Sequence, residues 1–300
     1  MSINLIDPAV VSSIAHLKLI ARQAVEGAVS GLHHTHFMGR NVEFSEHRPY
    51  NPGDELRHID WRAYAKTDRF HVKLFEEDTN LRALILTDLS GSMRFGESTI
   101  TKERCAQQLA AALSYLMLAQ GDSVGMAVFD DRTRAFVPPR HRQDQWSSIL
   151  EILAATPMTD SASATASVLS AMGEQLKKRG MVILISDLIE NPEQVVSSLA
   201  ILRKRQQEAI VFHILTPEEI DLPYHGTVEF LPLESPETPL QTNPKRLKRN
   251  YCERVQRFLE TYRNGFLELG IDYNLVRTDQ PLEIYLREYL QMRLKKSYRR

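Results

Sequence analysis

Leu81-Arg-Ala-Leu-Ile-Leu-Thr-Asp88-Leu-Ser90-Gly-Ser92 is the stretch on which the fold turns. The apolar run from Ala83 to Leu86 reads as a strand buried on both faces, the pattern of a parallel sheet. Such a strand delivers the residues after it to the carboxyl edge of an open α/β sheet, where ligands bind. One carboxylate and two hydroxyls, Asp88, Ser90 and Ser92, then leave that edge in one tight loop around Gly91. All three are oxygen donors, which suit Mg²⁺, Mn²⁺ or Ca²⁺ better than Zn²⁺.

Downstream, strands and helices alternate. A helix over about 101–119 closes at Gly121. Val124, Met126 and Val128 alternate as a second strand, and Thr133 to Val137 pairs with it across the Asp130-Asp131 turn signal. Helices over about 143–154 and 161–178 precede Met181 to Ile185, a second fully apolar strand that brings Ser186 and Asp187 to the same edge as Asp88. Asn191-Pro192 opens the next helix as cap and first-turn proline, and a strand follows at Ile210 to Leu215. Residues 217–243 hold five prolines and read as an insertion with one short strand, Thr227 to Leu231. Asn243-Pro244 starts a long helix to about 268, before a strand at Ile271 to Val276 and a helix from Pro281 to about Lys296. The alternation predicts the α/β class: a doubly wound, Rossmann-like, mostly parallel sheet with helices on both faces.

Upstream the pattern changes. Val10, Ile14, Leu17, Ile20 and Val25 recur at roughly helical spacing and predict an amphipathic helix over 8–30. Residues 31–80 are rich in His, Arg, Asp and aromatics, with turn signals from Arg48 to Asp54 and a weakly alternating strand from Phe70 to Phe75. The expected division is therefore residues 1–80 as a helix plus an irregular β-rich subdomain, and 81–300 as the α/β domain carrying the proline-rich insertion.

The chain has 300 residues, 43% hydrophobic and 25% charged, which suits a soluble globular protein with a sizeable core. A formal net charge of -1 gives no reason to expect nucleic acid or an anionic membrane as partner. The basic run from Arg293 to Arg300 reads as a solvated helix end. Cys105 and Cys252 lack metal-type spacing and read as reduced thiols. Asp7 and Pro8 interrupt any signal-peptide pattern, and Leu109 to Ala119 falls short of the about 20 residues that a spanning helix needs. A cytoplasmic location without a transmembrane segment is expected.

Asp88, Ser90 and Ser92 end one apolar strand, and Asp187 ends a second. A third loop, between the helices near 154 and 161, supplies Thr156, Thr159 and Asp160. Two serines, one threonine, one or two carboxylates and water would fill the about six oxygen positions of Mg²⁺. With so few carboxylates the metal stays undercompensated and attracts an acidic group from a partner, which is recognition more than catalysis. The simpler alternative is that Asp88 and Ser90 only cap the following helix.

Asp88-Leu-Ser90-Gly-Ser92 with a later threonine and Asp187 resembles the metal-ion-dependent adhesion site of von Willebrand factor type A domains. Arg48-Pro-Tyr50-Asn-Pro-Gly53-Asp54-Glu-Leu-Arg57-His-Ile59-Asp60-Trp61-Arg62 resembles the signature of a bacterial family of unknown function, number 58, that carries such a domain. The resemblance covers most of the chain. It implies a Rossmann-like type A domain binding Mg²⁺, and a chaperone-like or adaptor role beside a MoxR-type AAA+ ATPase or its client. Asp88, Ser90, Ser92 and Asp187 match residue by residue. The family's Gly-Thr-Asp before a helix is here Met158-Thr159-Asp160, so Thr159 is taken as the threonine ligand, ahead of Thr156 and Thr165.

Other features read structurally. The Arg and Asp residues between Arg48 and Arg62 pair with one another, with Trp61 as an apolar anchor. His33, His34 and His36 lack companion ligands at zinc spacing. Lys177-Lys178-Arg179 suits a helix C-terminus. The sequence has no phosphate loop, no dinucleotide fingerprint and no Gly-x-Ser-x-Gly elbow. A non-enzymatic binding module is therefore expected. The alternatives are a Mg²⁺-dependent phosphoester hydrolase on the same edge and a structural domain with a vestigial site.

Overall fold

Apolar runs long enough to be buried on both faces build the centre of the molecule. The computed structural model describes residues 81–96, 100–175, 180–231, 233 and 239–297, with 18, 21, 22, 46–49 and 71–74 upstream. Two compact units emerge, residues 38–80 and the remainder. In the smaller unit, β1 (Glu46–Pro49) pairs antiparallel with β2 (His71–Leu74), placing a strand where the alternation from Phe70 to Phe75 predicted one. The rest of Arg48 to Arg62, the histidines 33–36 and Lys177 to Arg179 lie outside the described residues.

The division differs from the expected cut at residue 80, because residues 1–37 group with 81–300. Helical Ala21 is fully buried in the α/β core, and the Arg22 guanidinium lies 5.9 Å and 5.7 Å from the ring centroids of Tyr115 and Trp146. The apolar residues on which the helix over 8–30 was read, Val10, Ile14, Leu17, Ile20 and Val25, lie outside the described residues.

That unit has a six-stranded sheet in the order β10-β7-β6-β3-β4-β5. The strands are β3 (Arg82–Asp88), β4 (Ser123–Phe129), β5 (Thr133–Arg140), β6 (Met181–Ser186), β7 (Glu208–Leu215) and β10 (Asp272–Arg277). All neighbours are parallel except β5, an antiparallel edge strand carrying Pro138 and Pro139. Proline is tolerated there because an edge strand has ladder positions that need no N–H donor. The mostly parallel α/β sheet expected from the sequence is present.

Alternate side chains of β3 enter two cores, Ala83 and Ile85 on one face, Leu84 and Leu86 on the other. The first face packs on α1 (Lys102–Ala119), α2 (Gln145–Ala155) and α7 (Leu282–Ser297), through Leu109, Leu113, Ile149 and Leu286. The second packs on α3 (Thr165–Gln175), α4 (Pro192–Lys204) and α6 (Pro244–Glu268), through Leu169, Leu199, Tyr262 and Phe266. Among the described residues no helix is long and apolar enough to cross a membrane.

Three local readings change. The helix expected from 161 begins at Thr165, since Ser161 O and Ala164 N are bonded to Gly91 N and Asp130 O in neighbouring loops. The proline-rich insertion holds a short helix, α5 (Pro217–Asp221), and a hairpin of β8 (Val228–Phe230) and β9 (Leu240–Thr242), where one strand was expected. Both cysteines are free, and burial pushes the Cys105 thiol up to about 12.

Chain order places β3 centrally, runs outward through β4 and β5, then returns to β6 on the other side. The β3–β6 boundary is therefore the topological switch point, where a crevice opens at the carboxyl ends. Ile85→Ala, at a fully buried position of β3, is expected to cost about 2–5 kcal/mol. Urea unfolding with an unchanged m-value checks it, because the loss then lies in the native core.

Candidate functional site

Asp88 ends β3 at the switch point, and its side chain is fully buried. Its Oδ1 accepts from Ser90 N at 2.9 Å. Its Oδ2 accepts from Ser186 Oγ at 2.6 Å and Ser163 Oγ at 2.8 Å. Thr87 sits opposite Ile185 in the β3–β6 register, which makes Ser186 the next neighbour of Asp88. Ser90 Oγ and Ser92 Oγ lie 3.2 Å apart, at the start of a 3₁₀ turn spanning Gly91–Arg94.

Burial, then the nearby Asp187 charge, raises the Asp88 carboxyl from its ordinary 3.8 to about 7. Hydrogen bonds from the Ser186 hydroxyl and from the Ser90 backbone and hydroxyl favour the charged form but do not outweigh burial. The site therefore holds a carboxylate that a cation would stabilise.

Asp187 follows β6 and has such a partner. Lys102 Nζ, at the first turn of α1, donates to Asp187 Oδ2 at 2.7 Å and to Glu219 Oε1 at 2.5 Å. The Lys102 side chain is fully buried. Burial alone would push its ammonium down, and the two carboxylates outweigh it and hold the ammonium above its ordinary value. Glu219 is aimed by a capping box: Glu219 N donates to Thr216 Oγ1 at 3.2 Å, and Thr216 N donates to Glu219 Oε2 at 2.9 Å.

The loop after β6 is braced from below. Leu188 takes a left-handed φ of 52°, a conformation that costs a non-glycine residue on the order of 1–2 kcal/mol. Ser186 Oγ accepts from Leu188 N at 3.0 Å, and Tyr262 Oη donates to Leu188 O at 3.0 Å. Asp187 O lies 2.8 Å from His213 Nε2, and His213 Nδ1 lies 2.8 Å from Tyr273 Oη. Burial lowers His213 to about 4, so its ring is neutral at physiological pH, with Nε2–H assigned as the donor to Asp187 O.

Thr159 is not brought to Asp88. Its hydroxyl donates to Asp130 Oδ2 at 2.5 Å, and Arg94 bonds Asp160. Burial works against the Asp130 charge, but the Arg134 guanidinium and Thr159 outweigh it and hold that carboxyl well below the usual range. Thr156 donates back to Ile152 O at 2.6 Å within the last turn of α2. The third loop instead presents Ser163, with Thr165 Oγ1 3.1 Å from Ser163 Oγ. The late start of α3 explains the shift, because residues 161–164 were read as helix. A signal was available: Val168 and Leu169 are the first helix-spaced apolar residues, and a hydroxyl cap belongs just before them. Lys102 and Glu219 were also missed, because neither belongs to the strand-end motif.

The oxygen set fits a hard cation. Adjacent corners of a Mg²⁺ octahedron are about 3 Å apart, close to the 3.2 Å between the two serine oxygens. Asp88 supplies one charge, and Ser163 a third hydroxyl within reach of it. Asp187 is already balanced by Lys102.

Fold and edge together define an α/β protein with an oxygen-lined site at its switch point. The model of the family "Protein of unknown function DUF58" matches residues 46–260, and the chain belongs to that family. The uncharacterized proteins Mb1516 of Mycobacterium bovis and Rv1480 of Mycobacterium tuberculosis are each 28% identical over 231 residues, covering 76% of this chain and 72% of theirs. An aerotolerance-related membrane protein from Bacteroides fragilis is 15% identical, with 72% of this chain and 99% of that one covered at a TM-score of 0.48. The conserved hypothetical protein BatB from Bacteroides thetaiotaomicron gives 15%, 72%, 99% and 0.49.

Two outcomes are expected in metal-free solution. Asp88 binds its proton more tightly folded than unfolded, so stability falls as pH rises from about 4 to about 7. Asp88→Asn removes that charge and should be more stable than wild type at pH 8 by a few kcal/mol, at about 1.4 kcal/mol per pKa unit, with the gain vanishing near pH 4. Urea unfolding at both pH values reads the difference. Lys102→Met strands two buried carboxylates and should cost about 3–5 kcal/mol in the same assay at pH 8.

Proposed function

We propose that the chain is a metal-dependent protein-binding module. Mg²⁺, with Mn²⁺ or Ca²⁺ as alternatives, would be held by Asp88, Ser90, Ser92 and a third-loop hydroxyl, Ser163 in place of Thr159. Asp187 would tune the site while paired to Lys102. The bound cation would supply a Lewis-acidic position for an anionic ligand. The observation that carries the reading is the Asp88 carboxylate, buried among neutral donors beside two hydroxyls 3.2 Å apart.

The chain's own residues do the positioning. Ser186 and Ser163 orient Asp88, and Lys102 keeps Asp187 from adding its charge to the cation. A cation so compensated would retain positive charge, which suits a carboxylate from a protein. Recognition is favoured over phosphoester hydrolysis because Asp187 is tied up by Lys102 and the His213 ring serves the Asp187 carbonyl from a buried position. The partner proposed from the sequence resemblance is a MoxR-type AAA+ ATPase or its client, met in the cytoplasm, with this chain as adaptor.

Calorimetric titration with MnCl₂ at pH 8 should show one site in the wild type and none in Asp88→Ala. Ser163→Ala should weaken it about tenfold, and Thr159→Ala should leave it within about twofold. Capture of a purified MoxR-type ATPase should be lost in EDTA. Equal capture by Asp88→Ala would sink the metal bridge.

A further inference from the structure

The insertion after β7, with Ile189 and the start of α6, lines an apolar groove beside the carboxyl edge. Ile189, Leu231, Leu233, Leu240 and Leu247 are between 38% and 66% exposed, and all five line one cavity of about 470 Å³. Ser92, Lys102 and the carboxylates Glu218 and Glu219 also line it, Glu219 paired with Lys102, and Tyr224, Phe230 and Tyr251 form further wall. Large apolar side chains gathered on one exposed surface mark an interaction site rather than random exposure. Their exposure argues against a small apolar ligand, whose pocket would enclose it.

Charge identifies the occupant. Helix α6 contributes Pro244, Leu247 and Tyr251 to the groove. Between them stand Lys245, Arg246, Lys248 and Arg249, all exposed, with no acidic residue in the first turn. Four cations at the positive end of a helix dipole oppose that dipole. Among the described residues, Arg249 alone of the four pairs with a carboxylate, Glu253 at 3.1 Å. Lys248 lies one helical step from both Pro244 and Tyr251, which puts it at the groove's rim. Ser92 also lines the groove, and the proposed cation would add positive charge there.

From these we infer that the groove binds an acidic amphipathic peptide segment of a protein partner, its apolar side chains in the groove and its carboxylates on the α6 rim. The inference deepens the protein-binding reading and rests on it for the kind of occupant, but it does not need the metal.

The test is selection of 12-residue peptides from a random phage library on the immobilised full chain in EDTA, followed by fluorescence polarisation with the labelled winners. Enrichment of Leu, Ile or Phe with Asp or Glu is expected. The double variant Leu240→Asp, Leu247→Asp should weaken binding at least tenfold, and Lys248→Glu several-fold with a flatter salt dependence. Both leucines are exposed, and circular dichroism melts confirm that the variants fold. No enrichment, enrichment of basic peptides, or undiminished binding by the double variant overturns the inference. So does sedimentation showing a wild-type dimer that the double variant dissolves, because a second copy then covers the groove. Peptide binding that persists in EDTA while MnCl₂ titration shows no site would sink the metal reading and leave the groove standing.

Discussion

The buried ammonium of Lys102 is the constraint around which the carboxyl edge is arranged. A desolvated charge is tolerated only with close counter-charges, and Lys102 has Asp187 at 2.7 Å and Glu219 at 2.5 Å. Those partners come from different elements, the loop after β6 and helix α5, while Lys102 itself starts α1. One ion triad therefore ties three elements together at the switch point. It also shapes the charge balance: Asp187 and Glu219 share one lysine, while Asp88 is held by neutral donors, and burial beside Asp187 raises its pKa.

The triad works only if Asp187 is held where Lys102 can reach it. That position depends on a left-handed Leu188 and on two aromatic hydroxyls, Tyr262 on the Leu188 carbonyl and Tyr273 on the His213 ring. His213, Phe258, Tyr262 and Tyr273 meet edge-to-face around the imidazole, at centroid distances of 5.6 to 5.8 Å from its ring. This apolar surrounding keeps His213 neutral and lets it donate one hydrogen bond to Asp187 O without bringing a second positive charge to the edge. The second core is thus also the rigid support of the site.

The sequence made the parts of this arrangement that are local legible. Ala83 to Leu86 and Met181 to Ile185 are continuous apolar runs, and a run of that kind specifies both a buried strand and the edge to which it points. Asn191-Pro192 and Asn243-Pro244 marked helix starts because cap and first-turn proline are adjacent in the chain. What depended on distant residues was hidden. Lys102 and Glu219 are 117 positions apart, and nothing in either neighbourhood announces the other. Thr159 stood ahead of Thr156 and Thr165 because a threonine-aspartate pair before a helix looked sufficient, yet its hydroxyl is drawn to Asp130 by the Arg134 turn, and Ser163 carried no such signal. The β8–β9 hairpin was half seen, since Leu240 to Thr242 is too short to register as a strand without its partner.

Apolar groove and oxygen-lined edge meet at Ser92, and their juxtaposition bears on specificity. A cation with one vacant position would accept any exposed carboxylate, and every soluble protein offers many. Discrimination must then come from surface that carboxylates alone cannot satisfy. The leucines of the insertion provide such a surface, and the basic first turns of α6 would steer an acidic partner toward it before contact. On the proposed division the edge would contribute bond strength, and the insertion, absent from the strand-end motif, would select which acidic segment is held.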